Sequence, residues 1–366
     1  MREVKTAMRS GKEKGGFDWK KITGNHLFMP LVCLFLVLLV SVLVIPDFCQ
    51  ISIKTNILYG YPIDILNRAS EVVILAVGMT LVTASSGGQD ISVGAVMAVA
   101  AAVCCQILSG GEVTTNELMN PMWLAILAGI LAAALCGAFN GFLVARLGIQ
   151  PMVATLILFT AGRGIAQLVT KGQIAYIRVD SYKVMGGYVG PIPTAIFFAV
   201  AAVAVVSLVL RKTALGLYIE CVGINGSASR LVGLNSTMIK FLTYVICGVL
   251  AGVAGIVNSS RIYSADANNI GLNLEMDAIL AVALGGNALG GGKFSLMGSV
   301  IGAYTIQALT TTLYAMRVSS DRLPVYKAVV VIIIVVLQSP VFKKALANAK
   351  AKYASGARAA KGGENT

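Results

Sequence analysis

Long apolar runs without charge leave this chain few folds to choose from. LFMPLVCLFLVLLVSVLVI (Leu27 to Ile45) carries no charged residue, nor do PMWLAILAGILAAALCGAFNGFLVA (Pro121 to Ala145) and PIPTAIFFAVAAVAVVSLVL (Pro191 to Leu210). Runs near 20 apolar residues match the hydrocarbon thickness of a bilayer when coiled as helix. Charged residues make up 12% of the 366, against about 25% in soluble domains, too few to coat a water-facing surface. The expectation is an all-α polytopic membrane protein with glycine-rich broken helices, since membrane barrels show short alternating segments instead. Thirty-nine glycines suit helices whose backbones approach closely in lipid.

Hydropathy along the chain predicts ten spans, near 27–45, 65–84, 91–109, 121–145, 151–170, 191–210, 238–258, 275–291, 295–313 and 323–340. With the amino terminus inside, both ends are cytoplasmic. Nineteen of the 29 lysines and arginines then fall on inner segments and nine on outer ones, the bias expected of inward-facing loops. The net charge of +13 follows from that topology and needs no nucleic-acid partner; basic tails beside anionic membrane lipid account for it. The expected domains are a basic tail (1–26), a transmembrane body (27–340) with a long inner loop (211–238), and a second basic tail without apolar period (341–366). The amino terminus is too long and mixed in charge for a signal peptide, so Leu27 to Ile45 is expected to stay as an anchor.

TASSGGQDISVGAV (Thr83 to Val96) interrupts two apolar stretches with polar residues and glycines. Two readings of Asp90 stand side by side. It can cap the helix that follows, because a carboxylate satisfies free N–H groups there. Or it can sit within the bundle at a discontinuous helix, where irregular backbone lines a pathway. Gly87, Gly88, Gln89, Asp90, Ser92 and Gly94 make up this break. A second break, ALGGNALGGGKFSLMGSVIGAYTI (Ala283 to Ile306), holds Gly285, Gly286, Gly290, Gly291 and Gly292. Gly94-Ala95-Val96 and Gly298-Ser299-Val300 hint at an internal repeat. A phosphate-loop reading of the second break fails: Asn287 stands where its first glycine should be, and no Ser or Thr follows Lys293.

Arg163 is the other intramembrane charge. It either snorkels to an interface or is buried, and its depth suggests Asp90 as a partner. With at most these two ionisable groups at mid-depth, the chain lacks the relay that an ion-coupled secondary transporter, the alternative reading, tends to use. The inner loop Arg211 to Lys240 places small and apolar residues of ASRLVGL at helical spacing, which fits a short helix docking on a partner or one lying on the membrane. The seven cysteines form no C-x-x-C pair and the single histidine, His26, precedes the first span, so no metal, cofactor or catalytic centre is expected.

GMTLVTASSGGQDISVGAVMAVAAA resembles the signature of permease subunits of ATP-binding-cassette sugar importers, the ribose, xylose, galactose and galactofuranose group. NGFLVARLGIQPMVATLILFTAGRGIAQLVTKGQI, TALGLYIECVGINGSASRLVGLN and SADANNIGLNLEMDAILAVALGGNALGGGKFSLMGSVIGA are similar to later segments of the same family, in order, from about Ile63 to Ser339. RGIAQL, SADANN and LEMDAILAV look most like galactofuranose-type permeases. The chain departs from the signature at Gln89 and by one extra residue near Ser85-Ser86. The resemblance implies a non-enzymatic subunit of the bacterial cytoplasmic membrane that forms a translocation pathway for a simple sugar. It implies a separate ATPase, an extracytoplasmic sugar-binding protein and a second permease copy, identical or paralogous. Carried over by position, Asn225 to Leu234 would couple to the ATPase, through Asn225, Ala228, Ser229, Leu231, Gly233 and Leu234. Outer segments 46–64, 172–190 and 259–273 would dock the binding protein.

Overall fold

A computed structural model describes residues 27–54 and 57–338 of the chain. The expected tails, 1–26 and 341–366, and His26 lie outside the described residues. A helix occupies each of the ten apolar intervals: α1 (Phe28–Val44), α2 (Tyr61–Ser86), α3 (Val93–Ser109), α4 (Met122–Gly141), α5 (Pro151–Val169), α7 (Thr194–Lys212), α10 (Ser236–Ile262), α11 (Leu274–Leu284), α12 (Leu296–Ala315) and α13 (Leu323–Gln338). Three short helices, α6 (Asp180–Lys183), α8 (Leu215–Ile224) and α9 (Gly226–Leu231), lie between them. Among the described residues five helices are long and apolar enough to cross a membrane: α2, α4 with its π-helical extension Phe142–Arg146, α5, α7 and α10. The interval 275–291 differs from expectation. Its helix stops at Leu284, and 11 residues rise only about 16 Å, half the hydrocarbon core.

α2 is the central post. Of its most apolar window 89% is buried, against 22% for α7, whose apolar faces point outward. α10 packs along both α2 and α4, and small residues set the distance. A Cβ on Gly137 would stand 2.5 Å from the Tyr244 carbonyl oxygen, and one on Gly248 2.5 Å from that of Ala133. Either would force the helices apart, so glycine here holds α4 against α10 as close packing in lipid requires.

Among the described residues seven short strands gather at one end of the bundle. β1 (Ser52–Lys54) and β2 (Ile57–Tyr59) form a hairpin, as do β5 (Tyr188–Val189) and β6 (Ile192–Pro193). Leu58 N–H donates to the Pro191 carbonyl at 3.2 Å and ties the two hairpins together. β3 (Thr114–Thr115) runs parallel to β4 (Ala175–Ile177), which pairs antiparallel with β7 (Ser264–Ala265). All but β6 lie in segments the sequence places outside, and β6 falls at the start of the expected span 191–210. At the opposite end Gly88 meets Pro151, and the segments near residues 84–88, 223 and 285–295 come together.

Candidate functional site

The polar interruption after α2 is a re-entrant turn. Gly87 adopts φ +69° and its N–H donates to the Thr83 carbonyl at 3.1 Å, which ends the helix as a left-handed cap. The chain then doubles back. Asp90 N–H reaches the Met79 sulfur at 3.3 Å, and Met79 lies seven residues before the end of α2, about 10 Å along its axis. α3 therefore starts inside the bundle. Asp90 is only 3% exposed. Its Oδ1 accepts the Ser92 N–H at 2.9 Å, the Ser92 hydroxyl at 2.6 Å and Asn140 Nδ2 at 3.4 Å, while Asn140 Nδ2 also donates to Ser92 Oγ at 2.8 Å.

Both sequence readings of Asp90 need adjustment. The carboxylate is buried at a break, as the pathway reading has it. It does not cap α3 in the usual way, because Ser92 is the residue before the helix and the N–H groups of the first turn receive no side-chain bond. It fixes the turn that precedes the helix instead. Gln89 is half-buried and its carbonyl accepts from Thr155 Oγ1 at 3.5 Å, while Ile91 N–H donates to the same Oγ1 at 3.2 Å, which fastens the turn to α5. Asn140 was not foreseen: it reads in sequence as the polar end of a span, yet is fully buried.

Arg163 is not the partner of Asp90. Its Nη1 donates to the carbonyls of Ala267, Asn268 and Ile270 at 3.0, 3.1 and 2.6 Å, and so clasps the segment between β7 and α11. All three bonds are donated by that one nitrogen, and the other terminal nitrogen, Nη2, is buried without a hydrogen bond. That segment carries α11 to its start against α3. Gly271 stands so close to Gly94 that a Cβ there would lie 2.5 Å from the Gly94 carbonyl oxygen. The amino-terminal ends of two half-helices thus meet at Gly94, with the Glu275 carboxylate in contact there and its Oε2 buried without a hydrogen bond.

The two glycine breaks also meet. Gly292 N–H donates to the Ala84 carbonyl at 2.9 Å, and a Cβ on Gly87 would lie 2.8 Å from the Gly290 carbonyl oxygen. Gly286, Gly291 and Gly292 have φ of +79°, +91° and +98°. Asn287 staples this second loop: its Oδ1 accepts Ser295 N–H at 2.6 Å and its Nδ2 donates to Ser299 Oγ at 2.7 Å. Thr80 of α2 joins by donating to Ser299 Oγ at 2.6 Å. Gly285 packs against Gly298, backbone on backbone.

The inner loop reaches the same place. Gly223, near the end of α8, touches the Ala84 carbonyl and lies against Gly292. Asn225 then caps α9, its Oδ1 accepting from Ser227 and Ala228 N–H at 3.1 and 3.0 Å. Ser229 is buried and donates to the Asn225 carbonyl at 2.9 Å, whereas Ala228 is exposed. Leu231, 90% exposed, and Val232 form the apolar tip. Gly233 turns the chain with φ +85°, and Leu234 folds back onto the core.

Glu71, Glu275, Asp277 and Lys327 are buried as well, more ionisable groups inside the bundle than the two expected. Glu71 Oε1 lies 2.9 Å from Arg261 Nη1, and Asp277 Oδ2 lies 2.8 Å from Lys327 Nζ. Arg261, expected on the outer segment 259–273, stands on α10, and Lys327 stands on α13, within the expected span 323–340. In sequence the acids were visible inside apolar runs, in SEVVILAV and LEMDAILAV; their partners were not.

Residues 61–338 match the family model described as branched-chain amino acid transport system / permease component. The galactofuranose transporter permease protein of Escherichia coli is 47% identical over 313 residues, covering 85% of this chain and 89% of its own. The fructose import permease protein of Bifidobacterium longum is 39% identical over 359 residues, covering 95% and 97%. The ribose import permease protein of Escherichia coli is 34% identical over 281 residues, covering 75% and 84%.

Proposed function

Because this chain belongs to the branched-chain amino acid transport system / permease component family, we propose that it is the membrane subunit of a binding-protein-dependent ATP-binding-cassette importer for a simple sugar. The relatives described above carry names of sugar permeases, with galactofuranose at 47% identity. The chain performs no chemistry. A separate ATPase subunit hydrolyses ATP, an extracytoplasmic protein delivers the sugar, and a second permease copy completes the pathway in the cytoplasmic membrane among its lipids.

One observation carries the reading. The loop expected to meet the ATPase, through α9, is joined by Gly223 of α8 to both glycine breaks at Ala84 and Gly292. A push on the α9 tip therefore bears directly on the ends of α2 and α11. In this proposal the ten helical intervals are ten spans with both termini inside, the strand-bearing end faces outward to the binding protein, and the two tails are cytoplasmic. The lysine and arginine bias sets that orientation.

Deleting the gene in its own cells tests the substrate. Uptake of one labelled monosaccharide should fall to background and return with a plasmid copy. Unchanged uptake of every sugar, with loss of leucine or valine uptake instead, would refute the sugar assignment.

A further inference from the structure

A cavity of about 670 Å³ opens at the strand-bearing end between α2, α10, α11, α12 and α13. Ligand pockets are typically about 300–1,000 Å³. Its walls are polar for a site inside an apolar bundle: Glu71, Asn258, Arg261, Asp277, Gln307 and Lys327 all face it. Protein interiors leave few voids larger than a water molecule, and intramembrane charges are rare away from water-filled or functional space. Two ion pairs that only stapled helices together would need no such room between them.

Two ion pairs on the walls neutralise each other, and Arg68, exposed at the rim, adds one cation. Glu71 takes Arg261 on one oxygen and the Asn258 amide, at 2.7 Å, on the other. Lys327 Nζ donates to both oxygens of Asp277 at 3.0 and 2.8 Å. A solute that passes Arg68 and reaches the two pairs meets fixed donors and acceptors whose charges are already compensated. Gln307 is buried on the wall, and its only side-chain contact is a long one, Nε2 to Thr311 Oγ1 at 3.4 Å, so its amide has capacity left for a ligand. The half-exposed Tyr314 offers an aromatic face at the rim. Paired carboxylates and cations, spare amides and one aromatic face suit a neutral polyhydroxylated molecule.

We propose that this cavity is a binding site for a neutral monosaccharide held within a single permease chain, an outward-facing stop on its passage. The proposal rests on the importer reading for its ligand class. Saturation-transfer NMR on the full chain in nanodiscs tests it, with D-galactose, D-ribose, D-fructose and the anion D-glucuronate as probes. At least one neutral sugar should give a signal, and Gln307→Leu should weaken its binding about tenfold or more without changing the melting temperature. Gln307→Asn should restore part of it, and Tyr314→Ala should weaken it where Tyr314→Phe does not. A signal from glucuronate alone, from no probe, or one indifferent to both Gln307→Leu and Tyr314→Ala would overturn the proposal. ATP-driven uptake by the same purified chain, reconstituted in proteoliposomes with its ATPase and sugar-binding protein, separates the two claims. Uptake without a cavity signal leaves the importer and removes the site; a cavity signal without uptake does the reverse.

Discussion

The N–H of Gly292 donates to the carbonyl oxygen of Ala84 at 2.9 Å, so the loop after α11 satisfies a carbonyl that the last turn of α2 leaves open. Two breaks more than 200 residues apart in sequence share one hydrogen bond, and Gly223 sits on it. Any substituent on Gly223 must displace that contact, since its Cβ would lie 2.6 Å from Gly292 N and closer still to Ala84 O. Gly223→Leu should cut ATP-driven uptake at least tenfold while the chain still inserts and binds its ATPase. Wild-type uptake by this variant would show that the junction is not on the coupling route.

The α9 tip should be the docking point. Leu231 is exposed and makes no structural contribution to the bundle, so Leu231→Asp should leave the melting temperature within about a degree or two. Truncating an apolar anchor at an interface typically costs about 2 kcal/mol or more, so co-purified ATPase should fall by tenfold or more. Ala228→Glu, on the exposed face of the same helix, and Gly233→Val, at φ +85°, should act in the same direction. Full ATPase recovery with all three would refute the docking assignment.

Asp90 and Arg163 should behave as independent residues. Arg163 is held by three backbone carbonyls and Asp90 by Ser92 and Asn140, with no shared partner. Thermal unfolding of Asp90→Asn, Arg163→Met and the double variant should give a coupling below about 0.5 kcal/mol. The swap Asp90→Arg with Arg163→Asp should rescue neither. A coupling of about 2 kcal/mol would mean that the two charges do meet.

The Asp90 turn itself should depend on acceptance of hydrogen bonds more than on charge. Asparagine keeps an oxygen for the Ser92 N–H and hydroxyl; alanine keeps none and leaves buried donors unpaired, at about 1–3 kcal/mol. Asp90→Ala should therefore lower the melting temperature clearly more than Asp90→Asn. Equal losses would place the charge, rather than the turn, at the centre of its role.

Where helices begin and end was largely legible, because uncharged apolar runs must coil in lipid and glycine clusters stop them. The 11-residue α11 was not, since LEMDAILAVAL runs into ALGG without a change in hydropathy; only its packing against Gly94 shows that it starts inside the bundle. The glycine breaks were visible one by one, but nothing local announces that Gly87 meets Gly290. The ion pairs were hidden for the same reason: Glu71 finds Arg261 across 190 residues, and Arg261 reads as a loop cation until α10 is seen to extend to Ile262. Depth misled once, when it suggested Arg163 for Asp90. Backbone carbonyls from a re-entrant segment were better acceptors for it, and no side-chain pattern reports them.

Uptake into proteoliposomes that hold the chain, its ATPase and the sugar-binding protein tests the central claim most directly. Accumulation of labelled monosaccharide should require all three proteins and internal ATP, and should be indifferent to imposed proton or sodium gradients. Accumulation driven by either gradient in liposomes that contain this chain alone would contradict the account.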